Sequence, residues 1–252
     1  MAEEKKPVTA AILVIGDEIL SGRTKDKNIG YIADYLGALG IDLKEVRIVP
    51  DEEPEIVAAL NALRRRYDYV FTTGGIGPTH DDITADAVAK AFNVPIDHDP
   101  RAVAILKERL GARGIELNEA RLRMARLPEG AEIVENKVSG APGFMMENVI
   151  VMAGVPSIMQ VMLDAAAPKL RTGARMLSDS VRADLREGDI GSELAAVALA
   201  HPAVLIGSYP FFDERTGPNT NVVVRARNQA ALSAAKRAVE EMLARVKAAM
   251  AS

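Results

Sequence analysis

The chain of 252 residues is long enough to bury a full core, as one large domain or two small ones, and its 48% hydrophobic and 26% charged residues suit a globular protein. A net charge of −4 argues against a general nucleic-acid binder, and 4% aromatic residues without tryptophan argue against a stacking platform for single strands. With no cysteine there is no disulfide, zinc–thiolate site or cysteine nucleophile, and the dispersed His80, His98 and His201 do not suggest a multi-histidine metal site.

In chain order, the opening MAEEKKPVTA is polar and has no apolar stretch of signal-peptide length. No later run approaches the roughly 18 apolar residues that span a bilayer, so a cytoplasmic protein with no membrane partner is expected. Residues 10–15 (AAILVI) read as a buried strand ending at Gly16. From 28 to 39, Ile29, Ile32, Ala33, Leu36 and Leu39 recur at helical spacing until Gly40 stops the pattern. Residues 43–49 predict a second strand, and Ile56, Val57, Leu60 and Leu63 a second helix. Residues 68–73 (DYVFTT) predict a third strand, leading through a glycine turn into a helix that carries Ile83, Ala87, Val88 and Ala91. Further helices are expected at 100–112 and 118–126, a hairpin-like stretch from 133 to 151, and a helix from 157 to 170.

Strands and helices alternating at this length imply right-handed crossovers and a mostly parallel sheet covered on both faces. After residue 171 the pattern changes to a strand at 178–184, a helix at 190–200, strands at 203–208 and 221–226, and an alanine-rich helix at 229–250. That β-α-β-β-α order predicts a second small α/β domain over 171–252, following a first domain over 1–170. The long last helix offers Ala231, Ala235, Ala238 and Met242 as an apolar face, and a homodimer built on it is expected.

The chemistry concentrates in TTGGIGPTHDDIT, residues 72–84. Glycines allow a ligand to approach the backbone, and Thr79-x-x-Asp82 has the form of a capping box whose helix start favours an anion. Asp81 and Asp82 then either cap that helix or hold a divalent cation on the same ligand, since magnesium commonly uses one or two carboxylates with substrate phosphates. The turn is neither G-x-G-x-x-G nor a lysine-bearing P-loop. In a parallel sheet ligands lie beyond the carboxyl ends of strands, where Gly16-Asp17-Glu18 also falls. His80 reads as a solvent-facing loop residue, with an acid or base beside Asp81 as the alternative; Arg64-Arg65-Arg66 reads as the polar end of a helix, and Arg121, Arg123 and Arg126 as a solvated helix face from which one could reach into the pocket.

GDEILSG (residues 16–22) with Asn28, TGGIGPTHDDIT (73–84), GAPGF (140–144) and GVPS (154–157) together resemble the MoaB/Mog-type molybdopterin-binding domain in its CinA (competence/damage-inducible protein A) version. GDEILSGRTKDKN and VPDE are also similar to the molybdopterin-binding half of eukaryotic FAD synthases. The resemblance spans residues 10 to about 170 and implies a three-layer, MoaB/Mog-like α/β fold binding a phosphorylated pterin or nucleotide; the segment after 171 is similar to the small second domain of CinA-type proteins. Carried over by motif, Asp17, Glu18 and Asn28 would form one pocket wall, and Gly74, Gly75, Gly77 and Thr79 would hold a phosphate. Asp81 and Asp82 would be the catalytic or metal-binding pair, with magnesium or cobalt, and Gly140, Pro142, Gly143, Gly154 and Pro156 would close the rim. No haem or flavin cofactor is expected. The activities implied are pyrophosphate hydrolysis of the ADP-ribose or FAD type, adenylylation of molybdopterin, or binding without catalysis. Ile158 stands where CinA-type sequences usually carry a glutamate after GVPS, so no role for that carboxylate transfers.

Overall fold

The computed structural model describes residues 6–251, so the first five residues of the polar opening segment lie outside it. The chain divides between Gly173 and Ala174 into two compact units. In the first, β1 (Val8–Ile15) leads through α1 (Asp17–Leu20) and α2 (Asn28–Ala38) to β2 (Ile41–Val49), then α3 (Glu53–Arg64) and β3 (Tyr69–Thr73). There follow α4 (Thr84–Phe92), β4 (Ile96–His98), α5 (Pro100–Gly111), α6 (Glu119–Leu122) and β5 (Arg126–Pro128). The unit closes with β6 (Glu132–Val134), β7 (Gly143–Met146), β8 (Val149–Met152) and α7 (Pro156–Ala166).

The main sheet has the order β2-β1-β3-β8-β7-β6; the first four strands are parallel, and β7 runs antiparallel to both its neighbours. Alternation in β1 explains the three layers. Ala11, Leu13 and Ile15 face a core shared with α3, α4 and α5, whereas Ala10, Ile12 and Val14 face a core shared with α2 and α7. All six are nearly or wholly buried, which is why the strand reads as an unbroken apolar run. Helix ends follow local chemistry. Gly40, at φ +74°, ends α2, and Asn93, in the left-handed region, ends α4. Asp99 caps α5 by accepting from Arg101 N–H at 2.8 Å. Tyr35 of α2 donates to Asp164 of α7 at 2.8 Å, and burial followed by that carboxylate pushes the phenol up to about 12.

One stretch departs from its predicted form. Residues 118–126 do not make a single helix; α6 lasts one turn, a 3-10 turn covers Arg123–Ala125, and β5 begins at Arg126. The backbone of β5 is captured by antiparallel pairing with β4, a strand too short to give a sequence signal, and Leu127 is buried there.

The second unit contains β9 (Leu177–Arg182), α8 (Glu187–Ala200), β10 (Leu205–Asp213), β11 (Gly217–Ala226) and α9 (Gln229–Ala251). Its antiparallel sheet has the order β10-β11-β9, so this unit is α/β like the first but differently woven. The hairpin of β10 and β11 is longer than predicted, because its distal half carries exposed Tyr209 and Phe212 without apolar alternation. Asp213 closes the turn by accepting from the N–H groups of Arg215 (2.9 Å) and Thr216 (3.0 Å), which with Arg182 brings its carboxyl down to about 2.

The apolar face of α9 requires a correction. Ala235 and Met242 are wholly buried in the core of the same unit with Leu232, Val239 and Leu243, and Ala231 and Ala238 pack against it. An amphipathic helix over a three-stranded sheet uses this face to complete its own core. These residues are therefore spent within the unit and offer no dimer surface. No described helix is long and apolar enough to cross a membrane.

Candidate functional site

The strand order reverses about β1: β2 lies on one side of it and β3 on the other, which opens a crevice at the carboxyl ends of β1 and β3. Gly16-Asp17-Glu18 leaves β1 there, and Gly74-Gly75-Ile76-Gly77 leaves β3. The loop after β8, with Gly154 and Pro156, borders the same space. A cleft of about 530 Å³ results, lined by Glu18, the 74–78 loop, Asp82, Asn136, Ser139, Ala141, Gly154, Pro156 and Ile158 among others. A second compartment of about 230 Å³ shares Glu18, Thr24, Gly154 and Pro156 with it and runs to Asn28 and Thr73.

The glycine turn is locked at both ends. Gly74 (φ +105°) and Gly75 (φ +65°) adopt conformations that side chains disfavour. A Cβ on Gly74 would run into the carbonyl oxygen of Ile15, and one on Gly75 into the Thr84 hydroxyl. Thr84, wholly buried at the start of α4, donates its hydroxyl to Gly74 O at 3.0 Å and its N–H to Gly75 O at 3.0 Å.

Asp82 makes one of the two bonds of a capping box, reaching back to Thr79 N–H, but caps no helix. Helix α4 begins at Thr84, and its N-cap Ile83 makes no side-chain capping bond. The Asp82 carboxylate turns back into the loop and accepts from Gly77 N–H at 2.6 Å, from Thr79 N–H at 2.8 Å and from the Thr79 hydroxyl at 2.6 Å. Two amides expected to face a phosphate are thus engaged by the chain's own carboxylate, while those of Gly75 and Ile76 are not bonded to it. The same Thr79 hydroxyl lies 2.5 Å from Asp81, and its hydrogen bond holds the Asp81 carboxyl below its usual value. One hydroxyl proton cannot serve two carboxylates together, so the Thr79 hydroxyl donates to one of them at a time. Asp81 and His80 are both exposed.

Asp51, at the end of β2, joins this acidic rim. It accepts from Asp17 N–H at 2.9 Å. Burial raises its carboxyl above the ordinary 3.8, and the charges of Asp17, Glu18 and Asp81 push it further up. Among the described residues no three histidine, aspartate or glutamate side chains converge closely enough to hold a metal by themselves. A magnesium ion that takes one or two carboxylates and completes its shell from phosphate and water does fit these residues.

The remaining sequence candidates separate into two groups. Asn28 is buried at the start of α2 and donates to Gly154 O at 2.8 Å, tying the first helix-bearing loop to the third. Pro142 borders a small hollow beneath the glycine loop, together with Arg123 and Arg126. Gly140 and Gly143 line none of these spaces; a Cβ on Gly140 would meet Arg109, and one on Gly143 the carbonyl of Val151, so their role is packing. What faces the cleft from that turn is Asn136, Ser139 and Ala141. Asn136, buried, shapes the turn by accepting from Val138 N–H (2.9 Å) and Ser139 N–H (3.1 Å) and donating to Ala141 O (2.9 Å). Asn136 was legible only as an Asx-turn signal ahead of Gly140.

The arginines are not a solvated face. Arg126 forks onto Asp86 at 2.9 and 2.6 Å, Arg121 donates to Glu116 O, and Arg123 borders the hollow beside Asp82 with its Nε buried and unpaired. Arg64 stacks on Phe92 at 4.1 Å and donates to Ala91 O, pinning α3 to α4.

A mostly parallel three-layer α/β fold with its cleft at the strand switch point defines the class of the first unit. Residues 11–172 match the family described as "probable molybdopterin binding domain", and the chain belongs to that family. Residues 175–250 match "FAD synthase, middle domain". A protein of Aeropyrum pernix is 32% identical, over 92% of this chain and 94% of its own length. A CinA-like protein of Desulfosudis oleivorans is 35% identical over 81% of this chain, which spans about half (52%) of that relative. The crystal structure of the protein CinA from Thermoplasma acidophilum superposes with a TM-score of 0.60 at 32% identity, covering 64% of this chain and 96% of its own.

Proposed function

We propose that the cleft binds a phosphorylated pterin or nucleotide and, with a divalent metal, hydrolyses its pyrophosphate, with ADP-ribose or FAD as the type of substrate. The observation that carries the reading is the glycine turn at the cleft wall, where Gly74 and Gly75 let the loop turn tightly against Ile15 and Thr84 and set its backbone along the cleft beside an acidic rim. The phosphate lies against the Gly75-Ile76 backbone, and Asp82 orders that loop by holding the amides of Gly77 and Thr79. Magnesium or cobalt, when bound, supplies neutralisation of the pyrophosphate charge. Asp81, exposed and held by the Thr79 hydroxyl, would be its first protein ligand. Asp17, Glu18 and Asp51 raise the negative potential that draws the cation in. Hydrolysis adds one water across a P–O–P bond, releasing AMP and a second phosphomonoester.

The deciding experiment incubates the pure protein with ADP-ribose, with FAD, and with ATP plus molybdopterin, each with magnesium or cobalt. AMP released from the first two is the expected result. An adenylylated pterin would replace hydrolysis by cofactor assembly, and binding without turnover would reduce the cleft to a ligand-binding module.

A further inference from the structure

Helices cover both faces of the main sheet, but its two margins differ. One margin, β6, is only three residues long, which limits what can pair with it. The other, β2, has nine residues and among the described residues pairs with β1 alone. Val49 O accepts from Gly16 N–H at 3.1 Å, so the peptide groups of Val49 turn toward β1. By the two-residue period of a strand, those of Glu45 and Arg47 turn the same way, and those of Val46 and Ile48 turn outward. Such a row of outward N–H and C=O groups is a template for another strand.

The side chains at this margin are patterned as well. Val46 and Ile48 lie in register with Ile12 and Val14, on the sheet face covered by α2 and α7, yet each remains 38% exposed. On the opposite face Glu45 and Arg47 lie in register with Ala11 and Leu13 and are joined to each other at 2.6 Å. Lys44, where the register with β1 slips, is the kind of bulged lysine that guards an edge. Residues 45–49 run regularly beyond it and carry no second guard.

We propose that the outer edge of β2 pairs with the same edge of a second copy of this chain, antiparallel, about a two-fold axis at Val46. Such an axis sets residues equally distant from Val46 opposite one another on the same face. Val46 then exchanges both peptide hydrogen bonds with its counterpart, and the two exposed valines cover each other. Between the hydrogen-bonded pairs, Glu45 faces Arg47 of the second copy and Arg47 faces Glu45, at the positions where opposite side chains come closest. Four charges alternate in sign there. Other registers lose this match. One centred on Lys44, Glu45 or Arg47 sets like charges on the axis, one centred on Leu43 leaves Ile48 beyond the second strand, and one centred on Ile48 brings in Pro50, which has no N–H to give. Charge complementarity thus selects both the occupant and the register, and the pairing is independent of what the cleft binds.

The test uses the intact chain without ligand. Sedimentation equilibrium should show a monomer–dimer equilibrium in the micromolar range, and amide exchange at Val46 and Ile48 should slow about tenfold or more as concentration rises. Arg47→Glu and Glu45→Arg each set like charges across the axis and should each weaken the dimer about tenfold or more. Mixed together, the two variants oppose unlike charges at both positions, and the mixed dimer should regain near wild-type affinity. Loss of the bond between Glu45 and Arg47 within one chain would weaken both variants but would not be mended by mixing. Val46→Pro should stay folded, because proline is tolerated where the N–H faces outward on an edge, and should abolish the dimer. A monomer up to about 0.2 mM would overturn the proposal. So would a dimer in which Val46 and Ile48 exchange equally fast at low and high concentration, or weakened variants that mixing does not restore. Should the variants fail to fold, exchange in the wild-type chain decides alone.

Discussion

Two glycine turns of the first unit, residues 74–77 and 140–143, look alike in composition and serve different ends. At Gly74 the missing Cβ faces the main chain of β1, at Ile15, and the turn wraps the cleft. At Gly140 the missing Cβ faces the stem of Arg109 on α5, and the residues that reach the cleft are its neighbours Ser139 and Ala141. A glycine's meaning is set by what stands opposite it. Backbone cannot yield, whereas an exposed arginine stem can move in part. The first turn is also closed by a charged group, Asp82, and the second by a neutral one, Asn136.

Gly74→Ala breaks the comparison hardest. Strain at φ +105° and collision with a backbone carbonyl should destabilise the first unit by on the order of 3–5 kcal/mol, read as a fall in the denaturation midpoint. Gly140→Ala, at φ +87°, should cost about 1–3 kcal/mol and leave ligand affinity nearly unchanged, because Gly140 itself does not line the cleft. Equal losses from both substitutions would show that the two turns are not distinguished by their opposing groups.

The two adjacent aspartates sharpen the contrast between holding a loop and holding a ligand. Asp82→Asn keeps only one acceptor oxygen for bonds that now use two, so it should cost about 1–3 kcal/mol and speed amide exchange at Gly77 and Thr79. Asp81→Asn should leave the denaturation midpoint nearly unchanged and abolish metal-dependent ligand binding. The reverse pattern would exchange their assigned roles.

The smallest effect is expected at Asp51. Its folded carboxyl lies above the ordinary 3.8, so the folded chain holds more protons than the unfolded one just above that pH. Stability therefore falls as pH rises through that window and is fully present below 3.8. Asp51→Asn should raise the melting temperature at pH 7 by less than about 1 kcal/mol equivalent and lose the gain below pH 3.8. Added magnesium should narrow the difference by relieving the same repulsion.

Much of this was legible in the chain itself. The apolar runs of β1 and β3 and the helical spacing of α2 and α3 mark a buried parallel sheet, because strands covered on both faces admit only apolar residues. The motifs at 16–18, 73–84 and 154–157 placed three cleft walls, because glycine and proline pin backbone that no other residue can follow. The second unit's element order was readable for the same reason of periodicity. Tertiary structure alone decided which partner each group meets. It set Arg126 on Asp86, spent the face of α9 inside its own core, and broke up the helix expected at 118–126, with Arg126 opening the strand that pairs with β4. It also brought Asn28 and Thr73 to the lining of one compartment although 45 positions separate them in the chain. Local spacing fixes what a segment prefers, whereas hydrogen-bond partners and facing surfaces belong to contacts between segments distant in sequence, and those exist only once the sheet is assembled.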